Sequence, residues 1–517
     1  MPQYQIALTT ESFSPVLENG ATRLDAAPEE TDFELWDSRF MLRGDHDLDI
    51  ADKHARWGPR GWCKPSCIPI SIILILIVLV VLLPLLDQAE RHQAQAERRG
   101  QVAECLESCR FSLVESIPEG MDYDPGTTPH PSTFQTWSNL INMAEKTIEI
   151  ASYYWILRNS EVYPNVSSSQ GEEIYQSLLR AGTERKLTVR IAQNIPTQSQ
   201  PNADSELLAK KGAAQVRSVN FPRLLGGGIL HTKFWLVDRK HLYVGSANTD
   251  WRSLTQVKEL GAVVYNCSCL ATDAAKLFDV YWFLGDPKVV IPPIWPSNLS
   301  TSYNVDTPMN ISFNGTEVQT YLGSSPPPFC PEGRSTDLDA ILNIMSTAEQ
   351  FIYIAVMDYV PLTIYTPKIQ FWPDIDDALR RAAINNNVHV RLLISHWNHT
   401  RPAELNFLSS LRQISYSFPG VVLEVKLFVV PSTEAQSKIP YARVNHNKYM
   451  VTDSAAYIGT SNWSGDYFIN TAGIGLVVQE PEGVYNQSES IRAQLQAVFD
   501  RDWNSLYAYT MHIPRDS

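Results

Sequence analysis

Positive charge is scarce in this 517-residue chain: 42 Lys and Arg face 56 Asp and Glu, for a formal charge of -14. Broad, charge-driven adhesion to duplex DNA needs many cationic phosphate contacts and is excluded on that balance, so any nucleic acid must be gripped locally, in a cleft. Metal-binding words are missing too, with no His-Glu-x-x-His and no Cys-x2-Cys array. The sequence therefore asks for no metal and no cofactor. Cysteine is limited to seven residues, and no Asn-x-Ser/Thr sequon occurs before residue 68.

One long apolar run interrupts the polar background. Ile68 to Leu86 is 19 residues without a charge, about the length that crosses a bilayer as a helix. Lys53, Arg56, Arg60 and Lys64 precede it, whereas Asp87, Glu90 and Glu97 are mixed with Arg91, Arg98 and Arg99 after it. The positive-inside rule keeps the N-terminus cytosolic, and the run begins too far into the chain for a cleaved signal peptide. A single-pass type II signal anchor is expected, with a disordered acidic cytoplasmic tail at 1–67 and an exposed stalk at 87–104 that a protease can cut. Sequons at Asn165, Asn266, Asn298, Asn310, Asn314, Asn398 and Asn486 follow the anchor and are expected to carry glycans in the lumen. Another, at Asn462, falls where a glycan would block the site described next.

His231-Thr-Lys233 and His446-Asn-Lys448 are one word written twice, each followed five residues after its lysine by an aspartate, Asp238 and Asp453. A glycine-led turn comes after both, Gly245 to Asn248 and Gly459 to Asn462. In-line displacement at phosphorus wants two imidazoles, one to attack and one to protonate the leaving oxygen. Alternation of polar and apolar residues around His231 places His231 and Lys233 on one face of a strand. The lysine, Ser246 or Thr460, and the amides of Asn248 and Asn462 are the expected donors to a phosphate. Asp238 and Asp453 complete the word, with a structural alternative in which they fix the turn that follows.

The repeat extends further. Ile148–Tyr154 answers Ile352–Asp358, Leu187–Ile191 answers Val388–Leu392, and Phe278-Asp-x-x-Trp282 answers Phe499-Asp-x-x-Trp503. Strand-like runs alternate with helical patterns at Gly171–Arg180 and Asp374–Ala383, which predicts α/β layers with mixed sheets in two halves, 105–304 and 305–517. A duplicated unit brings equivalent strand ends together across a pseudo-twofold axis, so that one phosphate can touch both histidines.

These words match the His-x-Lys-x4-Asp signature of the phospholipase D superfamily. Leu113–Gly120, Gly245–Gly261, Tyr441–Thr452 and Tyr457–Ser464 resemble its type II transmembrane endolysosomal branch, members three and four, with Cys105-x3-Cys109 and Cys267-Ser-Cys269 nearer the third. The resemblance implies two phospholipase D-type repeats around one shared active site and metal-independent chemistry. It further implies His231 as nucleophile, His446 as general acid, and Glu259, 14 residues after Gly245, as a carboxylate orienting an imidazole. Gly473 stands at the same offset in the second half, so the other imidazole needs a different partner, with Asp466 as the candidate.

The resemblance also implies a 5′-to-3′ exonuclease on single-stranded DNA and RNA in endoplasmic reticulum, Golgi, endosome and lysosome. Tyr153, Tyr154, Trp155, Trp251 and Trp463 are the nearby aromatics that bases could stack on, and Arg217, Arg223 and Arg252 are candidate backbone contacts. A phospholipid is the rival substrate, through lipid phosphodiesterase or transphosphatidylase chemistry, and a catalytically inactive membrane glycoprotein is the third reading. A second copy of the chain is a candidate partner. Oxidation is expected to pair Cys105, Cys109, Cys267 and Cys269 into two disulfides, leaving Cys330 over and Cys63 and Cys67 as palmitoylation candidates.

Overall fold

The computed structural model divides the chain into an N-terminal unit, residues 1–83, and a larger unit, residues 84–517. It describes residues 72, 78, 105, 107–124, 126–158, 166–366, 368–481, 483 and 490–511. The tail, the stalk, Asn165, Asn486 and all of the anchor except Ile72 and Val78 lie outside these residues. Among the described residues no helix is long and apolar enough to cross a membrane.

Sixteen strands longer than two residues form one sheet. In the first half they are β1 (Ser108–Ser116), β2 (Thr147–Ser152), β3 (Thr188–Asn194), β4 (Gln215–Val219), β5 (Phe234–Val237), β6 (His241–Gly245) and β7 (Glu259–Tyr265). Then come β8 (Met309–Phe313), β9 (Thr316–Ser325), β10 (Phe351–Val356), β11 (His389–Ser395), β12 (Leu423–Phe428), β13 (Lys448–Thr452), β14 (Ala455–Gly459), β15 (Gly473–Gln479) and β16 (Ala508–Thr510). Across the first half the order is β4-β3-β2-β5-β6-β7-β1, and across the second it is β12-β11-β10-β13-β14-β15-β9. The two orders are the same. Strand β8 joins them, pairing parallel with β1 and antiparallel with β9, so what reads as two mixed sheets is continuous.

Among the described residues seven helices of eleven residues or more cover the sheet: α1 (Thr133–Met143), α2 (Ser169–Thr183), α3 (Ser268–Leu284), α4 (Asp337–Thr347), α5 (Asp374–Asn385), α6 (Pro402–Ser417) and α7 (Ile491–Asn504). Helix α1 starts at a reciprocal capping box between Ser132 and Gln135, which satisfies two amide donors at its first turn. The parallel pairs β2·β3 and β10·β11 need crossover helices, supplied by α2 and α5. Ile148, Ile150 and Ala151 on β2, like Ile352, Ile354, Ala355 and Val356 on β10, are fully buried, as strands covered on both faces require. The Phe-Asp-x-x-Trp words fall on α3 and α7, whose Phe278 and Phe499 enter one central cluster with Leu230, Ile311, Phe428 and Tyr449. This shared core locks the halves together and fixes the strand ends that carry the motifs.

Candidate active site

The two histidines hang on each other's half. Leu230 bridges to Ala472 and Lys258 to Asn445; the His231 amide donates to the Ala472 carbonyl at 3.0 Å, and the His446 amide to the Lys258 carbonyl at 2.8 Å. Both imidazoles line one cavity of about 460 Å³, together with Asn248, Glu259, Asp358, Asn462 and Tyr467. A larger cavity, about 900 Å³, lies against α7 and residues 124–130 and holds none of the motif residues. Chemistry, not size, decides between them.

Strand β5 begins only at Phe234, because the cross-half bridge at Leu230 draws the chain ahead of it away from hairpin pairing. His231 and Lys233 are therefore not consecutive same-face strand residues, as the alternation predicts. Each lysine instead folds back: Lys233 Nζ donates to the His231 carbonyl at 2.5 Å and Lys448 Nζ to the His446 carbonyl at 2.8 Å. Burial is the largest influence on both. It drives Lys233 well below the ordinary lysine value, with Lys448 nearby adding to the effect, and lowers Lys448 to about 7 despite Glu259 and Asp358. An anion bound beside them would relieve this penalty.

The histidines differ in their support. His446 Nδ1 lies 2.8 Å from Glu259 Oε2, and Glu259 Oε1 accepts from Ser253 Oγ at 2.8 Å. A carboxylate of the first half thus orients the imidazole of the second. Burial and the lysines outweigh it and lower His446 to about 4. His231 has no carboxylate, and its Nδ1 makes no hydrogen bond among the described residues, with only weak help from the Thr460 backbone. Burial, Lys233 and Lys448 hold it well below the ordinary histidine value. Gly473 explains the asymmetry: a Cβ there would stand 2.0 Å from Ser461 Oγ and 2.9 Å from Ser325 Oγ. In the first half Ala247 occupies the place of Ser461 and leaves room for Glu259. Asp466 does not fill the gap, since its carboxylate accepts from the Ile364 and Tyr365 amides at 2.6 and 3.1 Å.

Other expectations are corrected. Asp238 and Asp453 follow the far ends of β5 and β13, opposite the histidines, and do not line the cavity. Asp238 accepts from the amides of Glu145, Lys146 and Thr147, and Asp453 from those of Glu349, Gln350 and Phe351. Each pins the chain entering β2 or β10, not the turn that follows the aspartate. Ser246 Oγ is enclosed and exchanges hydrogen bonds with the Leu260 backbone, as Thr460 Oγ1 accepts from Ile474 N. They brace the turns and do not reach a phosphate. Asn248 and Asn462 do line the cavity, with both Oδ1 atoms unpaired among the described residues.

Among the arginines only Arg252 reaches the cavity, where it is bound to Asp250 and the Pro440 carbonyl; Arg217 and Arg223 donate to Trp282 and Val289 carbonyls. Trp155, Trp251 and Trp463 are core, and Tyr154 gives its hydroxyl to Asp250. Tyr153 remains, its ring 5.5 Å from that of His231. Disulfides join Cys105 to Cys269 and Cys109 to Cys267. Asn266, Asn298, Asn310, Asn314 and Asn398 are exposed, whereas Asn462 is buried with its amide donating to Asp358 at 2.9 Å. Cys330 is a free thiol, pushed up to about 12 chiefly by burial.

Asp358, Tyr467 and Glu404 were not singled out from the sequence. Asp358 does occupy the repeat position of Tyr154, which made it visible in principle. Burial raises its carboxyl, against the pull of Lys448 and Arg401. Glu404, accepting from the Tyr359 amide at 2.8 Å, is raised to about 9 by burial and by Asp358.

Two interlocked halves presenting their histidines to one cavity, each histidine backed by the buried lysine of its own word, define a phospholipase D-like protein. The family described as "PLD3/4, PLD-like domain" matches residues 126–433, and the chain belongs to it. It is 54% identical to 5′-3′ exonuclease PLD3 of Xenopus laevis over 79% of this chain and 82% of that one. Identity to 5′-3′ exonuclease PLD4 of Mus musculus is 46%, over 79% and 81%. The fold is also that of phosphatidylserine synthase of Haemophilus influenzae, with a TM-score of 0.50, 14% identity, and coverage of 81% of this chain and 92% of that one.

Proposed function

We propose that the chain is a phosphodiesterase that degrades single-stranded DNA and RNA from the 5′ end, as its relatives' names describe for them. The observation that carries the reading is one cavity lined by both imidazoles, with two buried lysines beside them. In this mechanism His231 attacks phosphorus through its neutral ring, forming a phosphorus–nitrogen bond as the bond to the departing oxygen breaks. His446 gives that oxygen its proton. Water then breaks the phosphohistidine, with His446 taking a proton back. The assignment follows from the asymmetry. Burial and the lysines depress both imidazoles, but only His446 has a carboxylate, Glu259, pulling the other way, so His446 takes up the proton at about pH 4 while His231, without that support, stays neutral and nucleophilic.

An acidic endolysosomal lumen, reached by a type II membrane protein anchored through Ile68–Leu86, suits this chemistry. Exposed sequons and two disulfides fit luminal exposure. So does Asp337, a buried carboxyl raised to about 7 by desolvation and therefore better accommodated when protonated.

The test is turnover of 5′-hydroxyl single-stranded oligonucleotides and, separately, phosphatidylglycerol vesicles at pH 5 and pH 7, with His231→Ala and His446→Ala beside the wild type. Nucleotide release lost in both variants is expected. Lipid turnover alone would transfer the site to the rival substrate. Sedimentation of the same preparation reads out association with a second copy.

A further inference from the structure

We propose that the stacked rings of His399 and Tyr441, on the rim of the catalytic cavity, form a platform for a nucleobase of the substrate strand, an inference that rests on the exonuclease reading above. Both residues line the cavity. Their rings lie 5.0 Å apart at 17° to one another, and Trp397 meets His399 edge-on at 4.6 Å. One face of Tyr441 is covered by His399. The residue is nonetheless 66% exposed, so the other face is open.

A large apolar ring held in solvent needs a reason, and the backbone adds a second oddity. Tyr441 has φ +55°, a conformation that L side chains seldom adopt. Anchors on both sides impose it. The Pro440 carbonyl accepts from Arg252 at 2.7 Å, itself bound to Asp250; Ala442 and Ile439 pack on Trp251; Arg443 donates to the Pro431 and Glu119 carbonyls. The strain is thus borne by a braced segment whose product is one presented ring. The Trp397 indole N–H, in the turn that carries His399, has no partner among the described residues and is a donor left for a ligand.

The shape specifies the ligand class. A flat, uncharged ring face beside a phosphate-binding cavity stacks any base without reading its edge, and an imidazole beneath it stiffens the platform. The buried tryptophans are unable to do this, and Tyr153, beside His231, sits deeper than the rim.

The experiment compares kcat/KM of the full chain on a 5′-hydroxyl single-stranded oligonucleotide with matched strands abasic at the first or at the second nucleotide. Wild type is expected to favour the base-bearing strand over one of the abasic strands by about tenfold, equivalent to about 1.4 kcal/mol. Tyr441→Ala should shrink that preference to within about twofold, while Tyr441→Phe, which keeps the ring, retains it. Thermal unfolding of each variant identifies a loss caused by misfolding, and the Phe variant then decides. A Tyr441→Ala enzyme that keeps the full preference overturns the platform, as does a wild type that degrades all three strands equally. A wild type that degrades none of them would instead remove the exonuclease reading itself.

Discussion

Replacing Glu259 by Gln isolates charge from shape at the one imidazole that has a carboxylate. Glutamine is isosteric, keeps an oxygen that can accept from Ser253 Oγ, and leaves His446 anchored by its amide to the Lys258 carbonyl. What disappears is a negative charge 2.8 Å from Nδ1. With charge centres roughly 4 Å apart and an effective dielectric of about 20, the attraction to an imidazolium is roughly 4 kcal/mol. That is about three pKa units in the limit, of which about two should survive local relaxation. Because His446 must be protonated to release the leaving oxygen, its pKa falls further and the alkaline limb of the kcat/KM profile moves about two units towards acid. At pH 5 to 7 the expected loss is about 100-fold. Oligonucleotide turnover measured from pH 3.5 to 8 reads the alkaline limb, which in the wild type bends near pH 4. A loss under about threefold, or a variant whose profile still bends near pH 4 as the wild type's does, would refute the assignment of His446 as proton donor and Glu259 as its electrostatic support.

Gly473→Ala should lower the unfolding temperature by a few degrees and reduce activity, since its Cβ would meet Ser461 Oγ at 2.0 Å; adding Ser461→Gly should recover most of the loss, and a single variant as stable as wild type would disprove the steric account. Asp337, raised to about 7, binds a proton in the folded state that the unfolded chain releases near pH 4, so its contribution is present below that pH and is lost as pH rises through 7. Asp337→Asn should therefore stabilise the protein at pH 8, by roughly 3–4 kcal/mol at most, and have little effect at pH 4, as read by denaturant unfolding at both. Lys258 and Asp502, both fully enclosed, pair at 2.7 Å across the halves. Asp502→Ala should cost about 3–5 kcal/mol, and Lys258→Met with Asp502→Leu should be less damaging than either alone, which a double-mutant cycle in urea decides.

The repeat was legible in the sequence because each of its words is tied to something periodic: apolar runs that become strands buried on both faces, and a Phe-Asp-x-x-Trp turn whose phenylalanine fills the shared core. Both histidines could be found for the same reason. Partnerships across the pseudo-twofold were not legible, since an offset of 14 residues says where Glu259 lies along the chain but not that β7 delivers it to the opposite half's imidazole. The aspartates of the motif were legible as structural, but not which segment they hold, since spacing alone does not show that they cap the entry to β2 and β10 and not the turn that follows. Rim aromatics were missed because His399 and Tyr441 come from loops 42 positions apart with no periodicity to mark them. The asymmetry needed packing as well. Exchanging Ala247 and Glu259 for Ser461 and Gly473 reads as two unrelated differences until the serine hydroxyl is seen where a carboxylate would have to pass. Duplication supplied two equal imidazoles, and this single steric exchange gave one of them a carboxylate partner and left the other without one.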